Sequence, residues 1–167
     1  VSPTNGTIKV ENKTTLYLGW SGYSLNSTVA LYGTTDNGEG YGVLRGDNAT
    51  QNGAVILGAN STIGSAGGTC TINGVISDGG HGFGFTEVSS GTVILTATNT
   101  YSGTTIVNNG ATLQCNNPGA LGTGALSINT GGKVNLNYTG VHAVAGLTLG
   151  GLPQTYGTYG SSISGAT

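Results

Sequence analysis

The chain has 167 residues, of which 33 are Gly, 40 are Ser or Thr and 16 are Asn, while Asp, Glu, Lys and Arg together reach only 6%, against about 25% in soluble proteins at large. A net charge of -2 from four basic and six acidic residues leaves no basic stripe to neutralise phosphates, which argues against nucleic acid and anionic membrane surfaces as partners. No apolar run is long enough for a transmembrane helix, and the abundance of Val, Ile, Thr and Tyr argues against disorder, so one folded domain over 1–167 with a thin core of small branched side chains is expected.

The chain starts at VSPTNGT without a charged n-region or an apolar h-region. The expectation is a secreted or cell-surface protein whose signal peptide has been removed. Gly or Asn interrupts almost every ten-residue window, so no helical periodicity survives. Short strand signals follow one another instead: TIKV (7–10), TLYLGW (15–20), VALYG (29–33), YGVLRG (41–46), AVILG (54–58), STIG (61–64), TCTING (69–74), TVILTA (92–97), TTIVN (104–108), ATLQC (111–115), ALSIN (125–129), KVNLNY (133–138) and LTLGG (147–151).

Most of these begin about 8 to 12 residues apart, which fits a sandwich of hairpins or a parallel solenoid with about three short strands per coil. Asn-Gly at 5–6, 37–38, 52–53, 73–74 and 109–110, with Asp-Gly at 78–79, keeps hairpins open. The strand composition favours the solenoid, because stacked coils place like residues above like. GTTIVNNGATLQCNNPGALG and GALSINTGGKVNLNYTG form an imperfect internal repeat of roughly 20 residues, as stacked architectures do.

The stretch GTVILTATNTYSGTTIVNNGATLQ (91–114) contains no Lys, Arg, Asp, Glu or His, so nothing in it titrates near neutral pH. It resembles the autotransporter-associated β-strand repeat, or passenger-associated transport repeat, whose pattern runs G-x-L-x-L-x-x-x-N-x-Y-x-G-x-T-x-[IV]-x-x-G-x-L. Gly91, Leu95, Asn99, Tyr101, Gly103, Thr105, Val107 and Gly110 fall on the marked positions, Val93 replaces a Leu, and Leu113 comes one residue late. The best match covers 61–142; residues 1–40 match weakly, and 143–167 is similar to segments that close such proteins. The resemblance implies a right-handed parallel β-solenoid exposed outside the cell, as a stalk or passenger, with no catalytic residues.

Relatives of this kind usually end in a last strand of the form F-x-G-x-G-x-L-x-V, which 143–167 lacks. Thr7, Ile8, Lys9 and Val10 carry a similar cadence, so the expectation is an N-terminal strand that completes the open end of the next copy. Open head-to-tail addition gives a filament, or homopolymer. The alternative is a piece of a larger surface protein.

Cys70 and Cys115 have neither a CxxC spacing nor a nearby His. An extracellular composition makes a structural disulfide the expectation, with two buried free thiols as the alternative. Sequons stand at Asn5, Asn12, Asn26, Asn48, Asn60 and Asn137, a weak excess over chance as a glycosylation signal. Asp36 and Glu39 in DNGEG lack calcium-loop spacing and read as a solvated turn, as do Asp47 and Asp78.

The acids are scattered, Arg45 beside Asp47 reads as an ion pair, and neither His81 nor His142 has a metal-spaced partner, so no enzyme, metal site or cofactor is expected. Tyr17, Trp20 and Tyr23 read as cross-strand packing or as a platform for sugars, which makes a carbohydrate-binding adhesin module the second function class. Thr69 with Thr71, Thr96 with Thr98, and Thr98 with Thr100 hint at ice-binding ladders, but lack a fixed period in sequence.

Overall fold

The computed structural model describes residues 6–19 and 22–159. Among them no helix occurs, and the strands wind into a parallel β-solenoid of about seven turns. The first coil comprises β1 (Ile8–Glu11), β2 (Leu16–Leu18) and β3 (Ser24–Leu25), and the second β4 (Val29–Tyr32), β5 (Leu44–Gly46) and β6 (Ala49–Gln51). The third holds β7 (Val55–Leu57), β8 (Ser61–Gly64) and β9 (Thr69–Ile72), and the fourth β10 (Ile76–Ser77), β11 (Phe85–Val88) and β12 (Thr92–Leu95).

From there each coil keeps two ladder strands: β13 (Thr105–Val107) and β14 (Thr112–Cys115), then β15 (Leu126–Ile128) and β16 (Lys133–Leu136). The last turn is β17 (Leu147–Leu149) with β18 (Leu152–Pro153) folded back on it. Strands β1, β4, β7 and β10 form sheet A; β2, β5, β8, β11, β13, β15, β17 and β18 form sheet B; β3, β6, β9, β12, β14 and β16 form sheet C. Three strands per coil therefore holds only through the fourth coil.

Registered stacking builds the core. Inside sheet B one column runs Leu16, Leu44, Ile63, Glu87, Val107, Ile128 and Leu149. Inside sheet C another runs Leu25, Gln51, Ile72, Leu95, Cys115 and Leu136. The period-2 alternation of each strand sends these side chains inward and their neighbours outward. The result is the thin core of branched side chains that the composition implies.

The Asn-Gly pairs do not make hairpins. Neither Asn52–Gly53 nor Asn73–Gly74 has the positive φ angles of a type I′ turn. They sit at the corner between sheets C and A, where a Cβ on Gly74 would collide with the Gly53 carbonyl and one on Gly53 with the Ser27 carbonyl. The hairpin that does occur, β17–β18, turns through Gly150 and Gly151 at φ 56° and 85°. It lays Pro153 against Thr148, so the closing segment blunts the edge of sheet B with a strand and a proline.

Cys70 and Cys115 are free and buried, which overturns the expected disulfide. Cys70 on β9 registers with Val93 on β12, whereas Cys115 on β14 registers with Leu95 of that same strand. The two lie two strand spacings apart, about 9.6 Å, beyond the roughly 7 Å that a disulfide spans.

Candidate functional site

The residues of the 91–114 motif explain how the solenoid continues after sheet A ends. Asn99 is buried; its Oδ1 accepts the Ile76 N–H at 2.7 Å and its Nδ2 donates to the Ala120 carbonyl at 2.5 Å. The side-chain amide thus stands in for a peptide group where no strand lies. Tyr101, fully buried, packs edge-on against Phe85 with 5.6 Å between ring centroids, and its hydroxyl meets Thr105 Oγ1 at 2.6 Å. Burial pushes the Tyr101 phenol up to about 12.

Gly91 and Gly103 face backbone or side-chain atoms that a Cβ would strike, and Gly110 holds φ 81°. Leu95, Val107 and Leu113 fill core columns.

At the N-terminal end, Ile8, Lys9 and Val10 lie in β1 and Thr7 just before it. Among the described residues β1 pairs with β4 alone, so its other edge carries unpaired backbone groups. Lys9 points outward, 2.6 Å from Glu11 and 4.5 Å above the Tyr32 ring. Inside the same end, Ile8, Leu16, Leu18 and Leu25, with Tyr17 and Tyr23, line a shallow depression of about 180 Å³.

Of the proposed sugar platform, Tyr17 and Tyr23 are exposed, and Trp20 lies outside the described residues. One face of the Tyr17 ring is taken: the Arg45 guanidinium sits 4.2 Å from its centroid and 4.5 Å from that of Tyr41. Arg45 is also held by Asp47 and Glu39 at 2.6 Å and 2.7 Å. Burial opposes the charge of Asp47, but Arg45 and the Ala66 N–H outweigh it and keep the carboxyl below its usual range.

The other turn acids are likewise satisfied from within. Asp36 accepts N–H groups of Gly38, Tyr41 and Gly42. Asp78 accepts those of Gly80, Gly82 and Phe83 and the Ser102 hydroxyl. In both cases these donors overcome burial and hold the carboxyl low. Ser102, Asp78 and His81 are neighbours, yet Ser102 gives its proton to Asp78, while His81 Nδ1 faces the Asp78 carbonyl. This is a turn lock without an activated nucleophile. Among the described residues no three His, Cys, Asp or Glu groups gather as metal ligands.

The sequons have structural partners too. Asn5 lies outside the described residues. Asn12, Asn48 and Asn60 each accept a backbone N–H from the next coil, of Thr35, Thr69 and Gly84. Asn26 and Asn137 belong to a ladder at the edge of sheet C: Asn52 Nδ2 donates to Asn26 Oδ1 and Asn73 to Asn52, both at 2.9 Å; Thr96 donates to Asn73, and Asn137 to Asn116 at 3.2 Å.

Beside this ladder the outer face of sheet C carries Ser24, Thr50, Thr71, Ile94, Gln114 and Asn135 in one column and Thr69, Thr92, Thr112 and Lys133 in another. Lys133 is the one charged group on these columns. The sequence could not show this alignment, because coil lengths differ and hide the recurrence of Thr.

Two further polar groups lie in the core unannounced. Gln51 reaches the Ser27 and Gly53 carbonyls through Nε2. Glu87 is fully buried in the sheet B column, where Oε1 accepts the Val93 N–H at 3.0 Å and Oε2 has no partner.

Stacked parallel sheets, registered columns and nearly uncharged outer ladders make this a β-solenoid protein with an extended polar surface. The chain is 35% identical over 140 residues to the "Adhesin BmaC autotransporter" of Brucella suis biovar 1 (strain 1330), across 83% of this chain and 4% of that protein. The chain thus spans a small part of that relative's length. No family model matches the chain, and no solved structure matches it significantly.

Proposed function

We propose that the chain is a non-catalytic segment of an extracellular, adhesin-like surface protein, a solenoid whose open strand edges, β1 of sheet A and β16 of sheet C, receive further β-strands head to tail, in a stalk or a filament. The observation that carries this reading is the unpaired outer edge of β1 above an apolar depression, on a column architecture that any added coil continues. Parallel strand addition satisfies the free backbone groups and covers Ile8 and Leu16 together. The similarity to an adhesin supports a cell-surface setting.

Electron microscopy at rising concentration tests the self-assembling form, beside a copy lacking residues 1–10. Filaments lost on truncation support strand addition between copies. Monodisperse particles from both refute the filament and leave the stalk.

A second reading, contact with glycans, is favoured by the outer face of sheet C, where hydroxyl and amide side chains recur at one strand spacing along each column and are nearly free of charge. Retention on neutral polysaccharide, lost when Thr71 and Thr92 are changed to Lys, would support it; no retention of the parent chain would remove it. Trp20→Ala separates this face from the Tyr17, Trp20 and Tyr23 group.

A further inference from the structure

Glu87 is the one carboxyl group in a column otherwise built of Leu, Ile and Val. It lies directly above Ile63 and below Val107, with no exposure, and no ion pair reaches it among the described residues. Its Oε1 takes the Val93 N–H while Oε2 stays unpartnered. A buried carboxylate with one oxygen unpartnered costs far more than the neutral acid at the same place. The position also matters: Glu87 precedes the corner at Ser89, which has φ 75°, and stands in the last coil to carry a strand of sheet A.

We propose that Glu87 is a proton-operated latch on the β11–β12 corner: protonated, it completes the core column and holds the start of β12, and deprotonated, it opens this corner as the weak joint of the solenoid. The titratable groups facing it are the thiols of Cys70 on β9 and Cys115 on β14, both pushed up to about 12, first by burial. They stay neutral in the same range and supply no counter-charge. Burial also pushes the Glu87 carboxyl up to about 8, against the opposing pull of the Val93 N–H, which puts the transition within reach of ordinary conditions.

The direction follows from proton binding. Below the ordinary value of 4.5 the folded and unfolded chains both hold the proton, and the group gives stability no pH dependence. Between 4.5 and about 8 the unfolded chain loses it first, so stability falls as pH rises. Above about 8 the folded chain loses it as well and the decline ends.

The test is urea unfolding of the full chain and of Glu87→Gln from pH 4.5 to 9, with hydrogen exchange of the Val93 amide measured alongside. The parent's folding constant should drop on the order of a thousandfold across this range, and the Gln variant should lack that drop. Val93 exchange in the parent should rise more steeply with pH than base catalysis alone gives. Equal pH slopes in the two chains overturn the proposal. If Glu87→Gln fails to fold, Glu87→Val, which copies the next coil, takes its place under the same criteria.

Discussion

Asn99 and Ile76 are joined across adjacent turns: the Asn99 side chain accepts the Ile76 N–H at 2.7 Å while its own N–H reaches the Ala120 carbonyl. One residue thereby closes the gap left where sheet A stops. Asn99→Ala removes both bonds and leaves a buried donor and acceptor unpaired, so a loss of about 2–4 kcal/mol is expected. Asn99→Asp should be at least as damaging near pH 7, because a carboxylate would face the Ala120 carbonyl. Chemical denaturation of the two variants measures both.

Tyr101 separates packing from hydrogen bonding in the same region. Tyr101→Phe deletes only the bond to Thr105 and should cost about 1 kcal/mol. Tyr101→Ala also empties the site beside Phe85 and should cost about 3–5 kcal/mol. Thermal unfolding should rank them in that order; equal losses would mean that the ring contributes nothing.

The thiols provide a test of register. With Cys70 and Cys115 buried and two strands apart, a thiol reagent should label neither in the folded chain and both in denaturant. A reducing agent should leave the melting temperature unchanged. Labelling of fewer than two thiols after denaturation would show an oxidised pair and overturn the register.

Asp36, Asp47 and Asp78 set the acid limit. Their folded values lie below the ordinary one of 3.8, so their contribution is complete above that value and is lost as pH falls through the folded values. Glu87 works in the opposite sense at higher pH. The melting temperature should therefore peak in mildly acidic buffer, near pH 4.5–5, and Asp78→Asn should flatten the acid side by about 1–3 kcal/mol. A pH series of calorimetric scans shows whether the maximum lies there.

Gly74 is a steric requirement. Gly74→Ala places a methyl group on the Gly53 backbone, which the chain cannot relieve by rotating a side chain, and about 2 kcal/mol or more should be lost. Gly67→Ala, with open space around the position but φ 114°, should cost only the backbone strain, of order 1 kcal/mol. Their ratio, read from urea midpoints, distinguishes collision from conformational preference.

Much of this architecture is legible in the residues. Val, Ile and Thr runs broken by Gly mark β7, β8 and β12, and the motif through Asn99 and Tyr101 marks a solenoid. Strands such as Ser24–Leu25 and Ile76–Ser77 are two residues long and exist because neighbours above and below dictate them, which no local pattern conveys. β11 hides behind GFGF and a Glu that reads as a surface charge.

The Asn-Gly pairs mislead for a related reason. Locally they favour a reversal, but Asn52 and Asn73 bond to each other across coils, and that long-range bond decides the path. The cysteines mislead through composition, since an extracellular character says nothing about which columns the thiols occupy.

The ladder partners Asn73 and Asn52, Asn129 and Asn108, and Asn137 and Asn116 are each 21 positions apart. Length change in such a chain is therefore quantised. Removing one whole period, for example residues 108–128, rejoins like columns and shortens the rod by one rung, about 4.8 Å. Removing a single residue inside a strand turns its remaining inward side chains outward. Lineages carrying this solenoid should thus differ by complete coils or by loops outside the strands, such as the 33–43 excursion, and homologous rods of quite different reach can share the same cross-section.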